Sequence, residues 1–327
     1  RDAQESRGLG DVYKRQPTYH TMETCVTFTW MQLCNRLLQM TGNSLYADYM
    51  ETAIYNALMA SLKADASQIA KYSPLEGWRH EGEEQCGMHI NCCNANGPRA
   101  FAMIPQFAYQ VQDDCVRVNF YAPSEAELVL PGKKPVRLKQ TTDYPRTDQI
   151  EIEVDPAKET AFTIALRIPA WSKIAVVSVN GQPQDGVLQG AYLPVNRKWK
   201  KGDRITVKLD LRARLVERNQ AQAIVRGPIV LARDSRFGDG FVDEASVVVS
   251  KDGYVALTPV KAPGFAWLAF TAPMVLGTDL ESNRAPKQIH FCDFASAGNT
   301  WDKTQRYRVW LPKTLNVMHS PYRPYNQ

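Results

Sequence analysis

The chain has 327 residues, 44% of them hydrophobic and 22% charged, with a formal net charge of +5. That length allows two or three domains with cores of their own, and the composition is ordinary for a soluble globular protein. No apolar run approaches the roughly 18 residues that cross a bilayer. The densest basic stretch, "NRKWKKGDR" at 196–204, reads as a solvated turn before a strand rather than a nucleic-acid patch.

Residues 1–16, "RDAQESRGLGDVYKRQ", lack an initial Met, an apolar period and a signal-peptide design. Their ending, "VYKRQ", resembles translated sequencing adapter, so they are read as a non-native leader. From His20 to about Lys63 the apolar residues recur at helical spacing, with Phe28, Met31 and Leu38 on one side. The "TGN" at Thr41–Asn43 is a stop signal, with Gly42 suited to a left-handed cap. Two amphipathic helices joined by a short turn cannot close a core alone, so they belong to a larger helical array. A loop rich in Gly, Glu and His spans 64–97, and Pro98 suits the first turn of a third helix.

Beyond Gln110 the period changes to two. "CVRVNFYA", "AELVL", "PVRLKQTT", "QIEIEVD" and "AFTIALRIPAW" alternate between turn residues, the pattern of antiparallel strands in a sandwich. Asn180–Gly181 is a hairpin signal, and Gly202–Asp203 turns into another strand. A second β-rich unit is expected from about Arg214, ending in "RYRVWLPK" and a Pro-rich tail. The expected organisation is therefore a leader at 1–16, a helical region at 17–110, a β-sandwich at 111–213 and a second sandwich-like unit at 214–327.

The seven cysteines, Cys25, Cys34, Cys86, Cys92, Cys93, Cys115 and Cys292, are too sparse and too odd in number for a disulfide scaffold. Cys34, Cys115 and Cys292 fit buried apolar positions; Cys86 is either a loop or a pocket residue. Adjacent Cys92 and Cys93 are harder to explain by packing. With Glu23 and Cys25 they supply the four donors of a tetrahedral zinc site, provided that Glu23 and Cys25 lie at a helix entry and that "NCCNANGP" is an irregular turn. Spacing leaves two readings open, a metal site or a set of buried thiols. A thiol redox protein is disfavoured because no CxxC occurs. His89 is either a pocket or a loop residue; His20, His80, His290 and His319 read as structural or exposed. A metal-bound cysteine is a thiolate at neutral pH, so it can be a ligand or a nucleophile.

"METCVTF", then "YSPL" at Tyr72–Leu75, then "HINCCNANGPRAF" together resemble the β-L-arabinofuranosidases of glycoside hydrolase families 127 and 146, formerly domain of unknown function 1680. "LRIPAW", "VNGQP", "NRKWKKGD" and "AIVRGPIVLARD" resemble the sandwich motifs that follow the catalytic domain there. The resemblance covers roughly Pro17–Asp234. It implies a multidomain α+β chain: the C-terminal part of an (α/α)6 barrel, followed by two antiparallel β-sandwich domains. It implies Zn²⁺ held by Glu23, Cys25, Cys92 and Cys93, with Cys92 the nucleophile of a retaining reaction on an arabinose-containing oligosaccharide or glycan. Tyr72 and His89 fall at pocket positions. The family's acid/base glutamate stands sixteen residues before the glutamate of ExC, where this chain has Arg7. The chain is therefore expected to be the C-terminal half of such an enzyme and inactive alone. The alternative is a non-catalytic carbohydrate-binding or structural β-sandwich protein with a structural zinc. No nucleic-acid or membrane partner is expected; a homodimer is allowed, and location stays open between periplasmic or secreted and cytoplasmic.

Overall fold

In the computed structural model, residues 21–80, 91–277 and 285–313 are described. They fall into two compact units. One draws on the segments Arg1–Trp30, Thr52–Ala100 and Arg212–Gln327, the other on Met31–Glu51 and Phe101–Leu211. The architecture is α+β and mostly β, with three α-helices among the described residues: α1 (Thr24–Thr41), α2 (Leu45–Thr52) and α3 (Cys92–Ala108).

α1 buries the apolar side that its spacing predicts, with Phe28, Met31, Cys34 and Leu38 at 5% exposure or less. It ends where expected: Gly42 takes φ +66° and its N–H caps the Leu38 carbonyl. α2 runs on as a π-turn over Ala53–Leu58, which the spacing does not predict. The cause is Asn56, whose Nδ2 donates to Thr52 O at 2.8 Å and to Pro228 O at 2.8 Å. Its Oδ1 accepts from Val230 N at 2.9 Å. A side chain has entered the helical ladder, which is how such bulges arise.

In the first unit, eleven described strands form one sheet. Its main path runs Ser246–Val248, Ala269–Leu276, Lys287–Asp293, Ile229–Asp234, Ala221–Arg226, Ala213–Arg218 and Tyr254–Val255. One face packs with Met22, Ala57, Ala60 and Leu75 around Cys292, Phe294, Tyr307 and Trp310. Met22 thus anchors the entry to α1 in the core. Arg79 is fully buried there, donating to the carbonyls of Phe294 and Ala295. Its guanidinium lies over the Phe294 and Tyr307 rings.

The second unit holds two sheets. The six-stranded one runs Ser124–Leu130, Lys134–Thr142, Gln149–Pro156, Asp203–Lys208, Val176–Val179 and Gln182–Pro183, all antiparallel. Burial alternates along Gln149–Pro156 and Asp203–Lys208 as the period of two requires. Asn180 and Gly181 both have positive φ in the turn between Val179 and Gln182, as the Asn-Gly signal predicts. The four-stranded sheet runs Ala191–Trp199, Thr160–Ile168, Cys115–Val118 and Tyr109–Gln112. One pairing departs from the antiparallel expectation: Cys115–Val118 lies parallel to Thr160–Ile168. Three strands of the other sheet intervene in the chain, and a connection that long removes the constraint a hairpin imposes.

Arg167, in the middle of that sheet, is fully buried and bonded to two acids of α2. Its guanidinium pairs with Asp48 and, at 2.7 Å, with Glu51 Oε1. Tyr144 O–H donates to Glu51 at 2.8 Å and Ala170 N–H to Asp48 at 2.9 Å. Burial raises the Asp48 carboxyl above its ordinary range, only partly offset by Arg167.

Candidate metal centre

The site is built at the first turns of two helices. Met22, with φ +52°, turns the chain so that Glu23 sits at the cap position of α1 and Cys25 inside its first turn. Thr24 fixes the entry: its N–H donates to Lys71 O at 2.9 Å and its hydroxyl to Ala70 O at 2.8 Å.

At α3 the sequence expectation needs correcting. The third helix starts at Cys92, six residues before Pro98, and the cysteine pair is helical rather than part of an irregular turn. Asn91 is the reason. Its Oδ1 accepts from Cys93 N at 3.0 Å, while Asn94 Oδ1 accepts from Asn91 N at 3.1 Å. That is a reciprocal capping box with Asn in place of the usual Glu. At a helix start, neighbouring residues can both face one point in front of the first turn.

The four predicted donors converge. Cys25 Sγ lies 3.0 Å from Cys92 Sγ and 3.2 Å from Cys93 Sγ. Cys93 Sγ lies 4.0 Å from Glu23 Oε1, and the four donor atoms all fall within 4.8 Å of one another. A tetrahedral zinc with Zn–S bonds of about 2.3 Å holds its sulfurs about 3.8 Å apart, so the donor set fits that ion, while the Cys25 sulfur stands closer to the other two than the bound ion would hold it. Burial differs within the set: Cys93 is buried, Glu23 and Cys25 are half-buried, and Cys92 is exposed.

Burial pushes the Cys93 and Cys25 thiols up, so a cation is what would ionise them together at neutral pH. The surroundings favour that negative charge. The first turns of two helices hold the cluster, where the helix dipole favours negative charge, and the Cys25 backbone N–H bonds the Cys93 sulfur.

Tyr72 is half-buried beside the site, and the Lys71 ammonium lies 5.3 Å from its ring centre. Burial raises the Tyr72 hydroxyl, and Glu23 and Cys93 push it further. His89, Cys86, His20 and His319 lie outside the described residues. Cys34 and Cys292 are buried, and Cys115 is half-buried. His290 stacks on Phe237 and pairs with Asp239, a structural placement. The sequence reading missed the cap residue Asn91 and the neighbour Asn96, whose Nδ2 lies 3.3 Å from Cys25 Sγ. An Asn three residues before another Asn, ahead of an apolar run, was the available signal for the cap.

Comparison with known proteins finds family matches over two segments of the chain. Residues 4–106 match the family model described as the GH127 β-L-arabinofuranosidase catalytic domain. Residues 115–211 match that of the GH127 middle domain. The chain belongs to the GH127 β-L-arabinofuranosidase family.

A curated relative, the non-reducing end β-L-arabinofuranosidase of Bifidobacterium longum subsp. longum, is 26% identical over 235 residues. That alignment covers 64% of this chain and 34% of the relative. The solved GH127 β-L-arabinofuranosidase from Geobacillus stearothermophilus T6 superposes with a TM-score of 0.73 at 22% identity. It covers 90% of this chain and 50% of that one. A second solved GH127 β-arabinofuranosidase gives 0.74 at 24%, with the same coverage. The chain thus spans about half the length of these solved relatives and about a third of the curated one.

Proposed function

We propose that this chain carries the metal–thiolate half of a retaining glycoside hydrolase that releases L-arabinofuranose from plant glycans or glycoproteins. Its helices would belong to an (α/α)6 barrel, and its sheets to two β-sandwich domains that follow it. The observation that carries the reading is the meeting of Glu23, Cys25, Cys92 and Cys93 at two helix starts, within the segment that matches the catalytic-domain family.

In this reading Glu23, Cys25, Cys92 and Cys93 hold Zn²⁺, which supplies the positive charge that keeps the thiols ionised. Cys93, buried, serves as a ligand only. Cys92, exposed, is the nucleophile. Its sulfur forms a bond to the anomeric carbon as the glycosidic C–O bond breaks, and the leaving oxygen takes a proton from a general acid. Water then attacks the same carbon and loses a proton to the conjugate base. The C–S bond breaks and the thiolate returns, with configuration retained over the two displacements. Tyr72, beside the cluster, would line the sugar pocket, and the family resemblance implies a pocket role for His89 as well. The exposure of Cys92 favours this reading over a closed structural zinc, which leaves no room for a substrate.

The position sixteen residues before Glu23 holds Arg7, which cannot serve as the acid. An aryl glycoside with a strongly acidic phenol as leaving group needs no protonation to depart, so it tests the nucleophile separately. Incubation of the zinc-loaded chain with 2,4-dinitrophenyl β-L-arabinofuranoside should release the phenol once per chain. Intact mass should then rise by one pentosyl unit, mapped to Cys92 and absent in Cys92→Ser. A pentosyl group on another residue, or none on zinc-loaded chain, would remove Cys92 as nucleophile.

A further inference from the structure

Asn96 sits one helical turn beyond the cysteine pair, and its carboxamide is committed at both ends. Nδ2 lies 3.3 Å from Cys25 Sγ, and Oδ1 accepts from Arg99 Nη1 at 3.4 Å. The second contact settles the orientation of the amide. A guanidinium only donates, so the oxygen must face Arg99, and the NH2 is left for the sulfur. Arg99 is itself placed over the Phe28 ring, 5.3 Å from its centre, and Phe28 lies three residues after Cys25 on α1. Phe28, Arg99, Asn96 and Cys25 therefore form a closed circuit of contacts joining the N-terminal halves of α1 and α3.

We propose that Asn96 is a positioning residue of the metal centre, whose N–H···S bond holds Cys25 as a fixed thiolate ligand, with Arg99 setting the amide. This assignment rests on the zinc reading above and adds a residue that donates nothing to the ion. Three thiolates and a carboxylate carry more negative charge than a divalent ion cancels. A donor aimed at one sulfur withdraws part of that excess and restrains the side-chain rotamer. Hydrogen bonds from outside the ligand set typically govern affinity by 10–100-fold.

The test is metal binding by the full chain, read without any turnover. Asn96 is half-buried within a helix, and alanine is the best helix former, so Asn96→Ala should keep its far-UV circular dichroism. Its zinc affinity should fall by about 10–100-fold. In the cobalt-substituted chain the sulfur-to-metal charge-transfer band should move to lower energy, because the sulfur loses a donor. Asn96→Asp, equal in size but without the N–H, should move both readouts the same way. Arg99→Met, which frees the amide to turn, should move them less. A wild-type chain that binds one metal, with affinity and band unchanged in both Asn96 variants, would overturn the assignment alone. A wild-type chain that takes up neither zinc nor cobalt would overturn the zinc reading and this assignment with it.

Discussion

Replacing Arg167 with methionine keeps most of the side-chain volume and removes one buried charge. The guanidinium is fully buried between Asp48 and Glu51. Without it, Asp48 at 7% exposure and Glu51 at 2% face each other unneutralised. Glu51 keeps the Tyr144 hydroxyl and Asp48 keeps the Ala170 N–H, but neither partner is charged. Breaking a buried pair by removing one member costs about 3–5 kcal/mol. In a domain of this size that lowers the midpoint of thermal unfolding by on the order of 10 °C.

The pH dependence carries the sign of the argument. In the variant the Asp48 carboxyl, already raised by burial, should rise further, because the Arg167 charge that offsets burial is gone and the Glu51 charge that adds to it stays. A raised carboxyl contributes stability that is full below the unfolded pKa and lost as pH rises through the folded one. The gap between wild type and Arg167→Met should therefore be widest near pH 8 and narrow toward pH 4.5. Adding Asp48→Asn and Glu51→Gln should recover most of the loss, because no buried charge then remains. Unfolding followed by near-ultraviolet circular dichroism across that range is the assay. A gap below about 0.5 kcal/mol, the scale of an inert surface change, or one that stays constant with pH, would refute the reasoning.

Two further outcomes follow from the metal centre. Asn91→Ala removes the acceptor of the Cys93 N–H and should cost about 0.5–2 kcal/mol of stability. Asn91→Asp should restore it, as read from midpoint shifts in denaturant. Zinc affinity should fall as pH falls: the Cys25 and Cys93 thiols are raised by burial, so they are protonated before the ion enters and must release those protons. Each proton released weakens binding about tenfold per pH unit of acidification. Competition titration with a chromophoric chelator between pH 6 and 8 measures this, and a flat profile contradicts it.

The parts of the molecule that follow a simple period were legible in the chain. The buried side of α1, the Gly42 cap, the Asn180–Gly181 turn and the alternating strands all obey local rules of one residue type in one place. The four donors were also legible, because adjacent cysteines are poorly explained by packing. The start of α3 was not. Pro98 is a strong local signal for a first turn, but the capping pair Asn91 and Asn94 is spaced across the cysteines and sets the boundary earlier. The π-turn was hidden for a different reason: Asn56 reaches a carbonyl and an N–H more than 170 residues away. Arg167 lies 119 and 116 residues from Asp48 and Glu51 in sequence, and the three meet only in the fold. Partners distant in sequence leave no trace in a local pattern.

The cysteine cluster also has a consequence for chain topology. Cys25 and Cys92 are 67 residues apart in sequence, so an ion shared between them ties off a long loop, as a cross-link does. Closing a loop of that length removes about 4 kcal/mol of conformational freedom from the unfolded chain in the entropic account of cross-links. On the proposed reading, the ion that prepares the nucleophile would also act as a staple for the helix starts that present it. Stripping it would loosen the fold and disarm the chemistry in a single event.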